Sequence, residues 1–311
     1  MNETLPHNAL VEEGILSRFA TKSAASTWEK LGAPLRTRNE PLVAVMLPTY
    51  NEAANIERLI REIEALNLNL MLVIIDDSSP DGTADIVRRL QREYENIVLF
   101  VRPAKLGLGT AITAGFRLLL SLENPPKYII AMDSDYSHNP RDIPRLVNAA
   151  KQGNHLVIGS RYIVGGKTTG WPVARQIISH TANLIATMMV GMKVQDCTSG
   201  FRCYSLEYVR EVIDNLHSQT YEIQIETVKQ AWMNRFKIRE VPIVFSNRKR
   251  GKSKLTKGEF KGFLYYVMKS KFGVPVMVET ENIGTWKTLN APVIDERAQR
   301  LIDLYRRVRF F

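Results

Sequence analysis

Cysteine is nearly absent: Cys197 and Cys203 are the only two in 311 residues. Their number and spacing give neither a disulfide framework nor a zinc site, so both read as reduced residues in or near the core. Long apolar runs are missing as well. A spanning helix needs about 20 consecutive apolar residues. The best candidates fail, because 177–190 carries His180 and Asn183, and 262–278 is cut by Lys269, Ser270 and Lys271. The opening segment MNETLPHNALVEEG is polar and acidic and lacks the apolar stretch of a secretory signal. The expectation is a cytoplasmic protein whose membrane contact is peripheral. Two nucleotide-loop signatures are also incomplete. Lys105-Leu-Gly-Leu-Gly109 has Ile112 where a dinucleotide loop carries its third glycine, and Gly166-Lys-Thr168 lacks the upstream glycine of a Walker A loop. A dinucleotide oxidoreductase and a P-loop ATPase are thereby disfavoured.

What is present is an ordinary globular composition, 45% hydrophobic and 24% charged, with a net charge of +10. That excess fits a polyanionic partner: nucleic acid, anionic lipid or a phosphorylated substrate. It does not choose among them, and solubility alone also accounts for it. Residues 1–40 are an appendage of unknown role. From Leu42 the pattern alternates. Continuous apolar runs at Leu42–Leu47, Leu70–Ile75, Ile97–Val101 and Tyr128–Met132 predict buried strands. Between them, Asn55–Leu66, Thr83–Tyr94 and Ala111–Leu122 have helical spacing. Strand–helix alternation predicts a mostly parallel α/β sheet with helices on both faces. In such sheets ligands sit at the carboxyl ends of the strands. The polar clusters Pro48–Glu52, Asp76-Asp77 and Asp133–Asp135 fall at those ends. Further on, helices are predicted at Val173–Val190, Glu222–Trp232 and Phe260–Lys269, with a short strand at Ile238–Phe245. Residues 41–271 form the main domain. Residues 272–311 read as a linker and a basic amphipathic tail helix, which suits anionic lipid, the protein's own core or a second subunit.

Asp133-Ser-Asp135 carries the chemistry. Two carboxylates two residues apart on an extended chain point to one side. They repel unless a cation neutralises them, and hard oxygen ligands suit Mg2+ or Mn2+. Asp77, at a neighbouring strand end, suits a nucleotide contact, although the turn after it also needs capping oxygens. Lys105 opens a helix and reads either as a donor-positioning group or as part of a helix start. Arg248-Lys-Arg-Gly-Lys-Ser-Lys254 crowds five cations into seven residues, a site for a diphosphate or lipid phosphate. It has no interleaved aromatics, so nucleic acid is not expected. Arg161, Arg175 and Arg202 lie beside apolar segments and suit a phosphate at the edge of a lipid pocket.

With these motifs in order, the chain resembles the dolichol- or polyprenol-phosphate mannose synthases, inverting glycosyltransferases of the GT-A type. The resemblance runs from about Leu42 to about Lys269. It is carried by Pro48-Thr-Tyr-Asn-Glu52, Asp76-Asp-Ser-Ser-Pro-Asp-Gly-Thr83, Lys105–Gly109, Asp133-Ser-Asp-Tyr-Ser-His138, Gly159-Ser-Arg-Tyr162, Gly170-Trp171, Thr198-Ser-Gly-Phe-Arg202 and Arg248–Lys254. It implies a Rossmann-like sheet and donor contacts at Pro48, Tyr50, Glu52, Ile75 and Asp77. Met132, Asp133, Ser134 and Asp135 fall on the nucleotide and metal segment. Arg161, Arg248 and Lys254 match phosphate-handling cations, and Arg175 and Ser179 match positions near the acceptor phosphate. Ser137 stands where certain members carry a metal-side glutamine, and the C-terminal transmembrane helices of many members are absent here. The implied reaction moves mannose from GDP-mannose to a polyprenyl or dolichyl phosphate, with Mg2+ or Mn2+, at the cytoplasmic face of a membrane. The alternatives are another donor such as UDP-glucose, another acceptor, or a non-catalytic nucleotide-sugar or lipid-phosphate binding module.

Overall fold

The computed structural model describes residues 42–190 and 194–247. The expectations for 1–40, for Arg248–Lys254, for Phe260–Lys269 and for 272–311 lie outside the described residues.

Four strands come first: β1 (Val43–Thr49), β2 (Leu70–Asp76), β3 (Ile97–Val101) and β4 (Tyr128–Ala131). They alternate with α1 (Ile56–Glu64), α2 (Thr83–Leu90) and α3 (Leu108–Leu120). Then follow α4 (Ile143–Lys151), β5 (Leu156–Ser160), β6 (Lys167–Thr169) and α5 (Val173–Val190). The described part ends with β7 (Arg202–Ser205), α6 (Leu206–Val212), α7 (Ile223–Met233), β8 (Ile238–Pro242) and β9 (Val244–Ser246). The main sheet has seven strands in the order β3-β2-β1-β4-β7-β5-β8, and β7 alone runs antiparallel.

Alternation along each strand splits the core into two layers. Val43, Val45 and Leu47 of β1 face the layer that includes α1, α2 and α4. Ala44 and Met46 face the layer that includes α3, α6 and α7. Helices on both faces explain why the strands read as unbroken apolar runs rather than as alternating ones. Cys197 and Cys203 are buried and free, and burial pushes the Cys197 thiol up to about 12. Among the described residues no helix is long and apolar enough to cross a membrane.

The single strand predicted at Ile238–Phe245 is two strands in two sheets. Ile243 is the crossing point: its N–H donates to Ser160 in the main sheet, and its carbonyl accepts from Lys167, next to the small β6–β9 sheet. Preceding it, Pro242 has no N–H to extend the ladder. Helix α3 starts three residues earlier than its apolar spacing suggests, at Leu108 rather than Ala111. Strand β7 is too short to show in the sequence as an apolar run.

Candidate active site

The carboxyl ends of β1, β2, β4 and β5 and the start of β7 meet at one rim. Three loop residues there hold left-handed backbone without being glycine: Asn51 at φ 56°, Ser78 at 52° and Tyr136 at 66°. The last of these lies inside the turn that carries the paired acids.

That turn, Asp133–His138, is tightly specified. Ser134 Oγ donates to the Pro48 carbonyl at 3.0 Å and so ties the turn to the end of β1. Asp135 Oδ1 accepts from Ser137 N at 3.0 Å and from Ser137 Oγ at 2.5 Å. Ser137 therefore caps the acid beside it rather than adding a ligand of glutamine's reach. The Asp133 side chain remains 38% exposed. His138 is fully buried, and its Nδ1 accepts the Asp133 N–H at 3.2 Å. Its ring stacks on Phe201 and meets the edge of Phe245. Burial pushes the imidazole down to about 4, so it is neutral at physiological pH and adds no charge to offset the acids.

Asp133 and Asp135 suit a hard divalent cation. They offer carboxylate oxygen, and among the described residues no cluster of three or more His, Cys, Asp or Glu joins them. A two-carboxylate set leaves the remaining positions to water and phosphate oxygen, the mode Mg2+ favours at phosphate sites.

Arg161 follows β5 and lies close enough to feel Asp133 electrostatically. Its Nε and Nη2 donate to Asp196 at 2.8 and 2.7 Å, and Nη2 also reaches Thr198 Oγ1 at 2.7 Å. Burial works against its charge, but Asp196 outweighs burial and pushes the guanidinium above its ordinary value. In return Arg161 overcomes the effect of burial on Asp196 and holds that acid below the usual carboxylate range. Among the described residues Nη1 meets no acceptor, which leaves one end of the fork for a ligand oxygen. Tyr162 OH and Ser179 Oγ are hydrogen-bonded at 2.9 Å, joining this segment to α5. Arg175 lies in the first turn of α5.

Residues 198–202 buttress the same acids. Ser199 Oγ donates to the Gly159 carbonyl at 2.6 Å. A Cβ on Gly200 would stand 3.2 Å from Asp133 Oδ1, so the glycine makes room for that carboxylate. Arg202, expected at the acceptor phosphate, is instead fully buried. Its guanidinium donates to the carbonyls of Cys197, Ser199 and Gln224 and to Thr227 Oγ1. It anchors the segment and faces no ligand.

On the β2 side the two acids do different work. Asp76 is a cap: it accepts from Thr49 Oγ1, Ser79 Oγ and Ser79 N. Asp77 accepts from Leu106 N at 3.1 Å and from Arg102, a 2% exposed residue that sequence reasoning did not single out. Burial raises Asp77 above the usual carboxylate range despite that guanidinium. Arg102 also bonds Thr110 Oγ1 and the Gly107 carbonyl, so Asp77 and Arg102 together fix the Lys105 loop. The start of α3 is not open to a phosphate. The N–H groups of Gly109 and Thr110 both donate to the Gln219 carbonyl. The glycine there serves close packing, since a Cβ on Gly109 would lie 2.2 Å from the Ser218 oxygen. Lys105 itself reaches over the ring of Tyr50, 5.1 Å from its centroid. Glu52 is buried and accepts from Asn55. Ile75 and Met132 are core residues just below the rim.

An open α/β sheet with paired acids at its rim fits the class of GT-A-type glycosyltransferases. The fold matches a glucosyl-3-phosphoglycerate synthase from Mycobacterium tuberculosis, solved with Mn2+ and UDP-glucose, at a TM-score of 0.56 and 19% identity over 76% of this chain and 80% of that one. Residues 44–213 match the family model described as Glycosyl transferase family 2, and the chain belongs to that family. Among its relatives are a polyprenol monophosphomannose synthase from Mycolicibacterium smegmatis, 32% identical over 75% of this chain and 88% of the relative, and an undecaprenyl-phosphate mannosyltransferase from Micrococcus luteus, 35% identical over 70% and 88%. The chain is thus an inverting GT-A enzyme related to the polyprenyl-phosphate mannose synthases.

Proposed function

We propose that this enzyme transfers mannose from GDP-mannose to the phosphate of a polyprenyl or dolichyl-type lipid. The observation that supports this most directly is the juxtaposition at the rim. A charged, buried Arg161, whose Nη1 meets no acceptor among the described residues, lies in the field of Asp133. The two relatives named for polyprenyl acceptors point the same way.

In this reading Tyr50, Glu52, Asp77 and Lys105 receive the nucleotide, with Pro48, Ile75, Met132 and Ser134 shaping the floor. Asp133 and Asp135 hold Mg2+ or Mn2+, which when bound neutralises the leaving diphosphate. Arg161, Arg175 and Ser179 orient the acceptor phosphate for in-line attack on the anomeric carbon. Its second pKa is about 6, so the attacking oxygen is already ionised at neutral pH and no side chain has to act as base. Arg248 and Lys254 are assigned to the departing diphosphate as positive charge.

Peripheral contact with a membrane fits the surface of α5. Val173, Ile177 and Leu184 are 71%, 61% and 50% exposed there, an unusual exposure for large apolar side chains on one helix.

The test is incubation of the protein with labelled GDP-mannose, Mn2+ and a polyprenyl phosphate, followed by extraction into organic solvent. Label in the organic phase is expected. Its absence with GDP-mannose but presence with UDP-glucose would move the donor assignment, and its absence with every donor would remove the activity.

A further inference from the structure

Fully buried imidazoles normally have both ring nitrogens satisfied. At His138 only Nδ1 is used, and it accepts the backbone N–H of Asp133 at 3.2 Å. Among the described residues Nε2 is buried and meets no hydrogen-bond partner. Because Nδ1 is the acceptor, the proton sits on Nε2, and a buried donor is left unsatisfied. The ring's remaining atoms are engaged, by one hydrogen bond and two aromatic contacts.

Those atoms fix the backbone of an acid. The Asp133 N–H is the first group of the turn after β4, and His138 is the last side chain of that turn. The bond between them closes the loop on itself and so sets the direction in which the Asp133 carboxylate leaves the chain. The ring has no freedom of its own. Phe201 stacks against it with centroids 5.0 Å apart, and the edge contact with Phe245 is at 5.2 Å. Phe245 also packs on Trp171 and lies under the Arg161 guanidinium, 5.4 Å from ring centroid to carbon. One chain of aromatic contacts therefore runs from the acid turn to the arginine beside it.

We infer that His138 is a positioning residue for Asp133: its Nδ1 holds the turn in the form that grips the divalent cation. The inference rests on the reading of Asp133 and Asp135 as the cation-holding pair. Partners that orient a ligand without touching the metal typically contribute 10–100-fold to affinity.

Replacement chemistry separates this role from packing. His138→Phe keeps an aromatic ring for Phe201 and deletes the acceptor. His138→Asn places an amide oxygen near the position of Nδ1. His138→Gln carries its amide one carbon further out. The experiment measures Mn2+ binding to the full chain with GDP present, by the loss of the free-ion electron paramagnetic resonance signal, with near-ultraviolet circular dichroism as a check on folding. The expected result is binding weakened at least about 10-fold in His138→Phe and His138→Gln and near wild type in His138→Asn. Equal affinity in wild type and His138→Phe overturns the inference, as does His138→Asn binding no better than His138→Gln. If His138→Phe does not fold, the comparison of Asn with Gln decides. Asp133→Asn and Asp135→Asn run alongside. If those bind Mn2+ as wild type does, the cation assignment itself is wrong and the inference falls with it. If they lose Mn2+ while the His138 variants keep it, only the inference about His138 fails.

Discussion

Replacing Asp196 with asparagine should destabilise the protein strongly and in a pH-dependent way. Asp196 is fully buried and accepts three hydrogen bonds from Arg161, through the backbone N–H, Nε and Nη2. The asparagine side chain would turn an amide N–H₂ toward those donors and leave a buried cation uncompensated. Breaking a buried pair from one side costs about 3–5 kcal/mol. At roughly 2–4 °C per kcal/mol for a domain of this size class, the melting temperature should drop by roughly 6–20 °C. The sign with pH follows from Arg161 depressing the carboxyl in the folded state. The unfolded acid titrates at about 3.9. The stabilisation is therefore complete above that value and is lost as pH falls through the folded value. Urea melts of wild type and variant at pH 7.5 and at progressively lower pH should show a gap that is constant near neutrality and narrows in acid. In an Arg161→Met background the same Asp196 change should cost far less, with a coupling of about 2–3 kcal/mol. That double variant should stay inactive, because the cation assigned to the acceptor phosphate is gone. A gap below about 1 kcal/mol, or one that widens in acid, refutes the argument.

Three further outcomes follow. Asp135→Asn should abolish transfer of labelled sugar even in excess Mn2+, while melting within a few degrees of wild type; near-normal turnover would remove the cation role. Gly109→Ala should lower stability by about 1–3 kcal/mol in urea melts, because the added carbon meets the Ser218 carbonyl rather than a movable side chain. Ile177→Ser with Leu184→Ser should reduce flotation with anionic liposomes and leave the melting temperature unchanged; flotation equal to wild type would disqualify that face of α5 as the membrane contact.

The first half of the sheet is legible in the sequence because each strand announces itself. β1 and β2 are buried along nearly their whole length, so their apolar runs are unbroken and end where polar loops begin. The acid pair is legible for the same reason, since Asp133 and Asp135 directly follow such a run. Partner choice is not legible. Nothing local to Arg161 says that its counter-ion is Asp196, a residue 35 positions away. Nor does Arg102, next to Pro103 on a loop, signal that it will be buried against Asp77. Arg202 misleads for the converse reason. It looks like a surface cation because arginine is seldom buried, and β7 is invisible because its four residues form no apolar run.

These buried arginines change what the basic composition means. Arg102, Arg161 and Arg202 contribute to the net charge, yet none lies in a solvated patch. They fix two segments at the rim: Arg102 the Lys105 loop, and Arg161 and Arg202 together residues 196–199, the first through the side chains of Asp196 and Thr198, the second through the carbonyls of residues 197 and 199. The left-handed residues Asn51, Ser78 and Tyr136 sit in the loops after β1, β2 and β4. Strained backbone of this kind costs on the order of 1–3 kcal/mol per residue and persists only where surroundings over-determine it. Here they do: Asn51 N–H donates to Ser79, Ser78 Oγ to the Arg102 carbonyl, and the Tyr136 ring lies under Arg58. Local preference is overruled at the rim and obeyed in the strands beneath it. The transfer proposed above would require that division, because electrostatic stabilisation of a leaving diphosphate is effective only if the charges are already in place when the bond breaks.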